Sequence, residues 1–264
     1  MEIWQSLLLG IVQGATEFLP VSSSGHLFIT ELWLGLKPDI NFSILLHVAS
    51  LLAVIVVYRT DIGRLLIKAF NIKRLSRNNL EPEGVLAWQL VLATICTVGV
   101  ALLIEPYFEN LLVLPWVAST LIITGLLIVA AERLRPKTEK PFNWRLALIL
   151  GLVQGLAVIP GISRSGLTIA LLVMLGLNRQ ESLRLSFLLS IPTILGALVF
   201  MLKDEWGSLN FDMATLIGFG ASFITALLAI AGMKSLVERR WVWFAPYCVL
   251  LGAGILVWLL YLSN

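Results

Sequence analysis

The chain has 264 residues, of which 58% are apolar, 13% are charged and two are cysteines, and its formal net charge is +3. Because a soluble domain is typically about 45–50% apolar and about 25% charged, this composition argues against a soluble enzyme, a disordered chain and a nucleic-acid-binding protein. Cys96 and Cys248 each lie inside an apolar run, which favours packing over a disulfide or a metal site. The sequence therefore predicts an integral membrane protein that forms one domain, residues 1–264, and binds no nucleic acid.

Long apolar stretches predict six transmembrane helices, since a helix needs about 20 apolar residues to cross the hydrocarbon core. In chain order they are Ser43–Tyr58, Gly84–Ile104, Leu111–Ala131, Leu183–Met201, Phe211–Met233 and Trp241–Leu262. The first stretch is slightly short, and Asn41 and Phe42 extend it. The predicted fold class is an all-α polytopic membrane protein.

Two other regions contain apolar runs that are too short to span a bilayer. Ile3–Val12 and Leu27–Leu36 flank the polar segment Gln13–His26, and Leu146–Ile159 and Leu167–Leu177 flank Pro160–Gly166. A ten-residue helix covers about 15 Å, half of the hydrocarbon core. Non-helical backbone survives at this depth only where protein or a water-filled cavity surrounds it. We predict two re-entrant helical hairpins, and the alternative is two kinked full-length helices in each place.

The basic residues predict how these elements cross the membrane. Arg59–Arg77 contains six Lys and Arg residues, Arg133–Arg145 five and Lys234–Arg240 three, whereas Glu105–Asn110 contains none and Lys203–Asp212 one. By the positive-inside rule, the three basic loops face the cytoplasm. This alternation places both ends of the first hairpin outside and both ends of the second hairpin inside.

An internal repeat relates the two halves of the chain, about 1–131 and 145–262. At an offset of 141 residues, Gly10-Ile-Val-Gln-Gly14 recurs as Gly151-Leu-Val-Gln-Gly155, and Ser22-Ser-Ser-Gly25 recurs as Ser163-Arg-Ser-Gly166. Each half holds one hairpin and three spans, and because three is odd the second half must be inverted. Inverted-repeat folds bind ligands near the midplane, where broken helices from the two halves meet. Two helix N-termini at such a site favour an anion, for which phosphate is our expectation.

Differences between the two hairpin loops predict where the chemistry lies. Glu17, Ser23 and His26 of the first loop are matched by Val158, Arg164 and Leu167 of the second. One loop therefore supplies an acid, a hydroxyl cluster and an imidazole, and the other supplies a guanidinium. Ionisable groups at membrane depth are costly, so a functional role is the default interpretation.

Several roles are open for these side chains. Arg164 either binds phosphate oxygens through its planar donors or pairs structurally with Glu17. Glu17 either binds a divalent ion, acts as a base or caps the loop. His26 can shuttle protons or attack phosphorus. His47 lies mid-span, matched by Ser190, and its role at the site is left open.

The serines carry the same ambiguity. Ser22, Ser23 and Ser24 either cap a helix or form an anion nest, and one of them could be a nucleophile. Ser163 and Ser165 are expected only to donate hydrogen bonds.

Two segments resemble the signature motifs of the bacterial BacA-type undecaprenyl pyrophosphate phosphatases: Gln13-Gly-Ala-Thr-Glu17-Phe-Leu-Pro-Val-Ser-Ser-Ser-Gly-His26 and Pro160-Gly-Ile-Ser-Arg-Ser-Gly-Leu-Thr168. The resemblance extends over essentially the whole chain. It implies hydrolysis of a polyprenyl pyrophosphate lipid, undecaprenyl pyrophosphate, to undecaprenyl phosphate. It also implies a divalent metal ion (Mg²⁺ or Ca²⁺) and a multi-pass protein of the bacterial cytoplasmic (inner) membrane, with its active site facing the outer side. Whether the protein forms a homodimer is left open.

The resemblance also implies roles for individual residues. The catalytic set is Glu17, Ser23, His26 and Arg164, and the substrate-binding set is Ser22, Ser24, Gly25, Ser163, Ser165, Gly166 and Thr168. The implied metal ligands are Glu17 and Gln13. Many members of the family carry a second glutamate where this chain has Gln13. The amide of Gln13 can coordinate a metal through its oxygen, but it cannot act as a base. We expect Ser23 to be the nucleophile with His26 as its base, or His26 to be the nucleophile. The competing function is a transporter or flippase of an anionic or prenyl-phosphate lipid, since such proteins share this architecture.

Overall fold

The structure is a computed structural model that describes residues 1–70, 82–205 and 212–262, with side chains for all of these except residues 40, 109 and 200–205. Ten helices of eleven or more residues lie within these ranges, and no strand does. They are α1 (Ile3–Glu17), α2 (Ser23–Trp33), α3 (Ile40–Ala69), α4 (Pro82–Ile104), α5 (Leu114–Leu134), α6 (Trp144–Gly155), α7 (Arg164–Met174), α8 (Arg179–Glu205), α9 (Met213–Leu236) and α10 (Phe244–Leu262).

Six helices are long and apolar enough to cross a membrane, which confirms the six predicted spans by length and composition. They cover Asn41–Ala69, Pro82–Tyr107, Leu114–Leu134, Arg179–Val199, Met213–Leu236 and Trp241–Leu262. The first is much longer than predicted, because Tyr58 (φ −102°, ψ 16°) kinks α3 without ending it. Lys73, Arg74 and Arg77 of the first basic loop, and most of the segment 203–212, lie outside the described residues.

The other four helices form two pairs, α1–α2 and α6–α7, each interrupted by a non-helical break. Helices of 11 to 15 residues are about 16–22 Å long, so none of the four spans a bilayer alone. The backbone N–H of Lys140, just before α6, donates to the carbonyl of Gly176, just after α7, at 2.8 Å. The second pair therefore begins and ends at the same end of the bundle. Re-entry into a bilayer and inversion of the repeat stay predictions.

Ion pairs gather several helix ends at one end of the bundle. Arg184, near the start of α8, donates from Nη2 to Oδ1 of Asp61 in α3 at 2.7 Å. Arg179 pairs with Glu132 near the end of α5 and donates to the carbonyl of Glu238, just after α9, at 2.6 Å. The ends of α3, α5 and α9 therefore lie beside the start of α8, as the predicted alternation requires. That this end faces the cytoplasm stays a prediction.

The first short helix of each half packs against a long helix of the other half. A methyl group added at Gly10 of α1 would collide with the backbone of Gly218 in α9, and one added at Gly151 of α6 would collide with the backbone of Ala93 in α4. Small residues allow helix backbones to approach this closely. The reciprocal packing holds both breaks in the interior, between the two halves.

Candidate functional site

The two breaks lie against each other. A methyl group added at Gly25 would lie 3.3 Å from Cα of Gly161, and one added at Gly166 would lie 3.3 Å from Cβ of Pro20. These are counterpart contacts, because Gly25 and Gly166, like Pro20 and Gly161, are 141 residues apart. The starts of α2 and α7 therefore meet at one place, as the sequence predicts.

Side-chain hydroxyls form hydrogen bonds with backbone carbonyls in the two non-helical breaks. Thr120 of α5 donates from Oγ1 to the carbonyl of Pro160 at 2.7 Å, and Ser165 donates from Oγ to the carbonyl of Leu19 at 2.9 Å. Buried carbonyls need such donors in the absence of water. Ser165, a predicted substrate-binding residue, is buried and uses its hydroxyl to hold the first loop.

Both short helices that start at the site carry a serine cap. Oγ of Ser22 accepts the N–H of Gly25 at 3.2 Å, and Oγ of Ser163 accepts the N–H of Gly166 at 3.0 Å. Ser22 has φ +70°, the one positive φ of a non-glycine residue in the described chain. Such backbone strain costs on the order of 1–3 kcal/mol and clusters at functional sites. The carbonyl of this strained residue accepts hydrogen bonds from both the backbone N–H and the ring Nδ1–H of His26.

Glu17, at the end of α1, is the centre of the polar cluster and is only 7% exposed. Its Oε1 accepts Nη2–H of Arg164 at 2.5 Å, whereas its Oε2 accepts the hydroxyl of Ser23 at 2.6 Å and the amide Nε2–H of Gln13 at 2.9 Å. Nε2 of His47 lies 3.4 Å from the same Oε2. The structure thus brings together three of the four predicted catalytic residues, with the hydroxyl of Ser23 donating a hydrogen bond to the carboxylate.

Arg164 is the first residue of α7, and its side chain is 13% exposed. Besides Glu17, it approaches the carbonyl of Ser186, which lies 3.4 Å from Nη1. Thr168, predicted to bind substrate, is fully buried instead, with Oγ1 2.8 Å from the carbonyl of Arg164 and 2.6 Å from Oγ of Ser186. The Glu17–Arg164 pair is the structural alternative that the sequence left open, and the structure contains it. Thr168 supports Arg164 from behind.

No described hydrogen bond joins the ring of His26 to Ser23. Its Nδ1 lies 2.7 Å from the carbonyl of Ser22 and its Nε2 lies 2.6 Å from the hydroxyl of Tyr247 in α10. Because a carbonyl oxygen can only accept a hydrogen bond, Nδ1 must carry a hydrogen. In the neutral ring, Nε2 then has a free lone pair and accepts a hydrogen bond from the phenol hydroxyl of Tyr247. The acceptor that the structure provides for the Ser23 hydroxyl is therefore Glu17, and the expected role of His26 as base or nucleophile stays a prediction.

Two residues of the site could not be assigned from the sequence. Tyr247 was missed altogether, because only the packing of α10 brings it to His26, 221 positions away. His47 was left open, and the structure places it beside Glu17. The predicted residue Ser24 lies with its Oγ 3.3 Å from Oγ of Ser22.

Comparison with known proteins identifies the family. A family model described as "Bacitracin resistance protein BacA" matches residues 6–254. The chain belongs to the BacA family. It is 40% identical over 264 residues to a protein of Korarchaeum cryptofilum named undecaprenyl-diphosphatase, covering 97% of this chain and 99% of the relative. A protein of the same name from Methanobrevibacter smithii is 38% identical (96% of each chain covered), and "Undecaprenyl-diphosphatase 1" of Pseudoalteromonas translucida is 37% identical (98% and 99%).

The predicted metal ligands fit a divalent ion that also binds phosphate oxygens. Within the described residues, no three His, Cys, Asp or Glu side chains converge on one point. However, Oε1 of Gln13 is buried without a hydrogen-bond partner, next to the Glu17 carboxylate. Mg²⁺ is commonly held by one or two carboxylates, waters and substrate phosphates. A carboxylate and an amide oxygen are thus sufficient protein ligands for a metal–pyrophosphate complex, and the metal itself stays a prediction.

Proposed function

We propose that this BacA-family chain is an undecaprenyl-diphosphatase that hydrolyses undecaprenyl pyrophosphate to undecaprenyl phosphate and inorganic phosphate. The observation that carries the proposal is the contact of the Ser23 hydroxyl with Glu17, whose other oxygen holds Arg164. A serine hydroxyl that donates a hydrogen bond to a carboxylate, with a guanidinium beside both, is suited to phosphoryl transfer, because the carboxylate can take the proton and the guanidinium can bind the phosphate. The names of the relatives, which match nearly the whole chain, support the same reaction.

Arg164 and the starts of α2 and α7 would bind the pyrophosphate. Helix N-termini present N–H groups and a positive dipole end, which favour an anion. Arg164 pairs with Glu17, and its planar guanidinium would exchange this partner for phosphate oxygens in a bidentate contact. When bound, a divalent ion held by Glu17 and Gln13 would neutralise further charge on the phosphate oxygens.

Ser23 would act as the nucleophile. Its Oγ forms a bond to the terminal phosphorus while its proton passes to Oε2 of Glu17, and the bond from that phosphorus to the bridging oxygen breaks. Undecaprenyl phosphate leaves with the bridging oxygen. Water then attacks the phosphoserine and leaves both of its hydrogens on the released inorganic phosphate, while Oε2 of Glu17 returns its proton to Oγ of Ser23 and so restores both side chains.

We further propose that the site opens to the outer side of the cytoplasmic membrane. The charge distribution supports this orientation, because the three basic loops would lie inside and the first pair of short helices would then enter from outside. The prenyl tail would reach the site from the lipid, between the spanning helices.

The test is phosphate release by the purified protein in detergent. Undecaprenyl pyrophosphate labelled in its terminal phosphate should yield labelled inorganic phosphate, and Ser23→Ala should abolish most of the release. Ser182→Ala is the control, because Ser182 is also a serine near the start of a helix, is buried, and bonds only to the start of α8, at the carbonyl of Asn178. A transporter or flippase would release no phosphate without a sealed membrane, so a wild-type protein without turnover would contradict the proposal.

Quenching during turnover identifies the nucleophile. Phosphoserine survives acid, whereas phosphohistidine is lost in acid and survives alkali. We expect the label on Ser23 after the acid quench. Label that is recovered only after the alkaline quench would assign the attack to His26, and the absence of label in both would indicate direct attack by water.

A further inference from the structure

The contact between His26 and Tyr247 joins the two halves of the chain at the site. His26 lies in the first turn of α2, and Tyr247 lies in the first turn of α10. The two rings are nearly parallel, with centroids 5.7 Å apart and an angle of 14° between their planes. The hydroxyl of Tyr247 lies 2.6 Å from Nε2 of His26. The phenol therefore meets the imidazole end-on, through its hydroxyl and the outer ring nitrogen.

Both ring nitrogens of His26 are fixed by different partners. Nδ1–H donates a hydrogen bond of 2.7 Å to the carbonyl of Ser22, which is the residue with the strained, positive-φ backbone. The phenol of Tyr247 can donate to Nε2 while that atom keeps its lone pair. A hydrogen bond to one ring nitrogen sets the tautomer of a histidine, and here the two bonds favour the same tautomer.

We propose that Tyr247 is a positioning residue for His26. It holds the imidazole in the Nδ1–H tautomer, with its Nε2 lone pair engaged by the phenol. This proposal rests on the proposed function, and it refines it. With Nε2 bonded to Tyr247, His26 acts through its hydrogen bonds to Tyr247 and Ser22 and does not attack phosphorus, and Ser23 keeps the role of nucleophile.

Two substitutions separate the hydrogen bond from the packing of the tyrosine ring. Tyr247→Phe keeps the ring and removes the hydroxyl, and a lost hydrogen bond of this kind predicts a fall in kcat of roughly 3- to 10-fold with little change in KM. Tyr247→Leu removes both contacts and should lower kcat further. Tyr261→Phe is the matched control, because Tyr261 lies in the same helix and is 79% exposed, and it should keep the wild-type kcat.

The tautomer provides a readout that does not depend on turnover. The chain has only two histidines, so a ¹⁵N-histidine spectrum of the detergent-solubilised protein, made without a histidine tag, shows two imidazoles, and a His47→Gln variant assigns them. The wild type should show a single Nδ1–H form for His26. Tyr247→Phe should shift its Nε2 resonance and introduce the other tautomer, whereas Tyr261→Phe should leave the spectrum unchanged.

The outcomes separate this inference from the proposed function. A Tyr247→Phe protein with the wild-type kcat and an unchanged His26 spectrum would overturn the role of Tyr247. A lower kcat with an unchanged spectrum would also overturn it, since the tyrosine would then act only through general packing. If the wild type releases no phosphate, the proposed function fails, while the spectra still decide whether Tyr247 sets the tautomer of His26.

Discussion

Substituting Glu17 by glutamine should reduce turnover without weakening substrate binding. Glutamine has the shape of glutamate and can still accept a hydrogen bond from Arg164, but it cannot take the proton of Ser23. Loss of a general base typically costs about 10²–10⁴-fold in rate, or about 2.7–5.4 kcal/mol of transition-state stabilisation. At a saturating concentration of the divalent ion, which compensates for the weakened metal ligand, KM should stay level or fall, because Arg164 no longer has to leave a charged partner at 2.5 Å in order to bind pyrophosphate. The split between kcat and KM is therefore the diagnostic result.

Steady-state phosphate release in detergent measures both parameters. Asp61→Asn is the matched control, since it also removes the charge of an arginine-paired carboxylate, whereas Arg184 keeps its second partner, Glu181, at 3.1 Å. The control should keep the wild-type kcat and KM. A Glu17→Gln protein with near-wild-type kcat but a raised KM would refute the base role and leave Glu17 as a binding residue.

Three further predictions concern phosphate binding, metal and topology. Arg164→Lys should lose most activity despite keeping its charge, because a point charge replaces a two-pronged donor; wild-type turnover would contradict phosphate binding by Arg164. Chelation with EDTA should abolish phosphate release and added Mg²⁺ or Ca²⁺ should restore it, whereas turnover that survives chelation would argue against the metal. In a background without Cys96 and Cys248, a cysteine at Tyr107 should react with an impermeant thiol reagent on intact cells and one at Lys137 should not. Equal labelling of the two positions would rule out the predicted topology.

The spanning helices could be predicted because the bilayer imposes a local requirement on the sequence. A window of about 20 apolar residues indicates a span whatever packs around it. The end of α3 could not be predicted in the same way. Hydropathy falls at Arg59, but the helix continues to Ala69, because hydropathy marks the end of the hydrocarbon core and not the end of hydrogen bonding along a helix.

The composition of the site was also predictable, but its pairing was not. Divergence between the repeats indicated Glu17, Ser23 and Arg164, and the structure places them in contact. Which side chain receives the proton of Ser23 depends on distances of a few tenths of an ångström, which motif spacing does not encode. Tyr247 carries no sequence signal, since apolar spans of this chain contain other aromatic residues, such as Trp258, that contact no site residue in any described hydrogen bond or ring contact.

The repeat explains why the chemistry needs both halves. Gln13 and Gln154 are counterparts, both are buried, and each leaves its amide oxygen without a partner. Nε2 of Gln154 donates to hydroxyls only, those of Thr97 at 3.1 Å and Thr193 at 3.0 Å, so the polar cluster around Gln154 carries no charge.

The corresponding amide of the first half, that of Gln13, donates to Glu17, whose charge is balanced by an arginine from the second half. An unpaired buried charge costs about 3–5 kcal/mol, so neither half can keep its charged residue without the other. In the proposed reaction, pyrophosphate would replace Glu17 as the partner of Arg164, and this one exchange would free the guanidinium for binding and the carboxylate for catalysis.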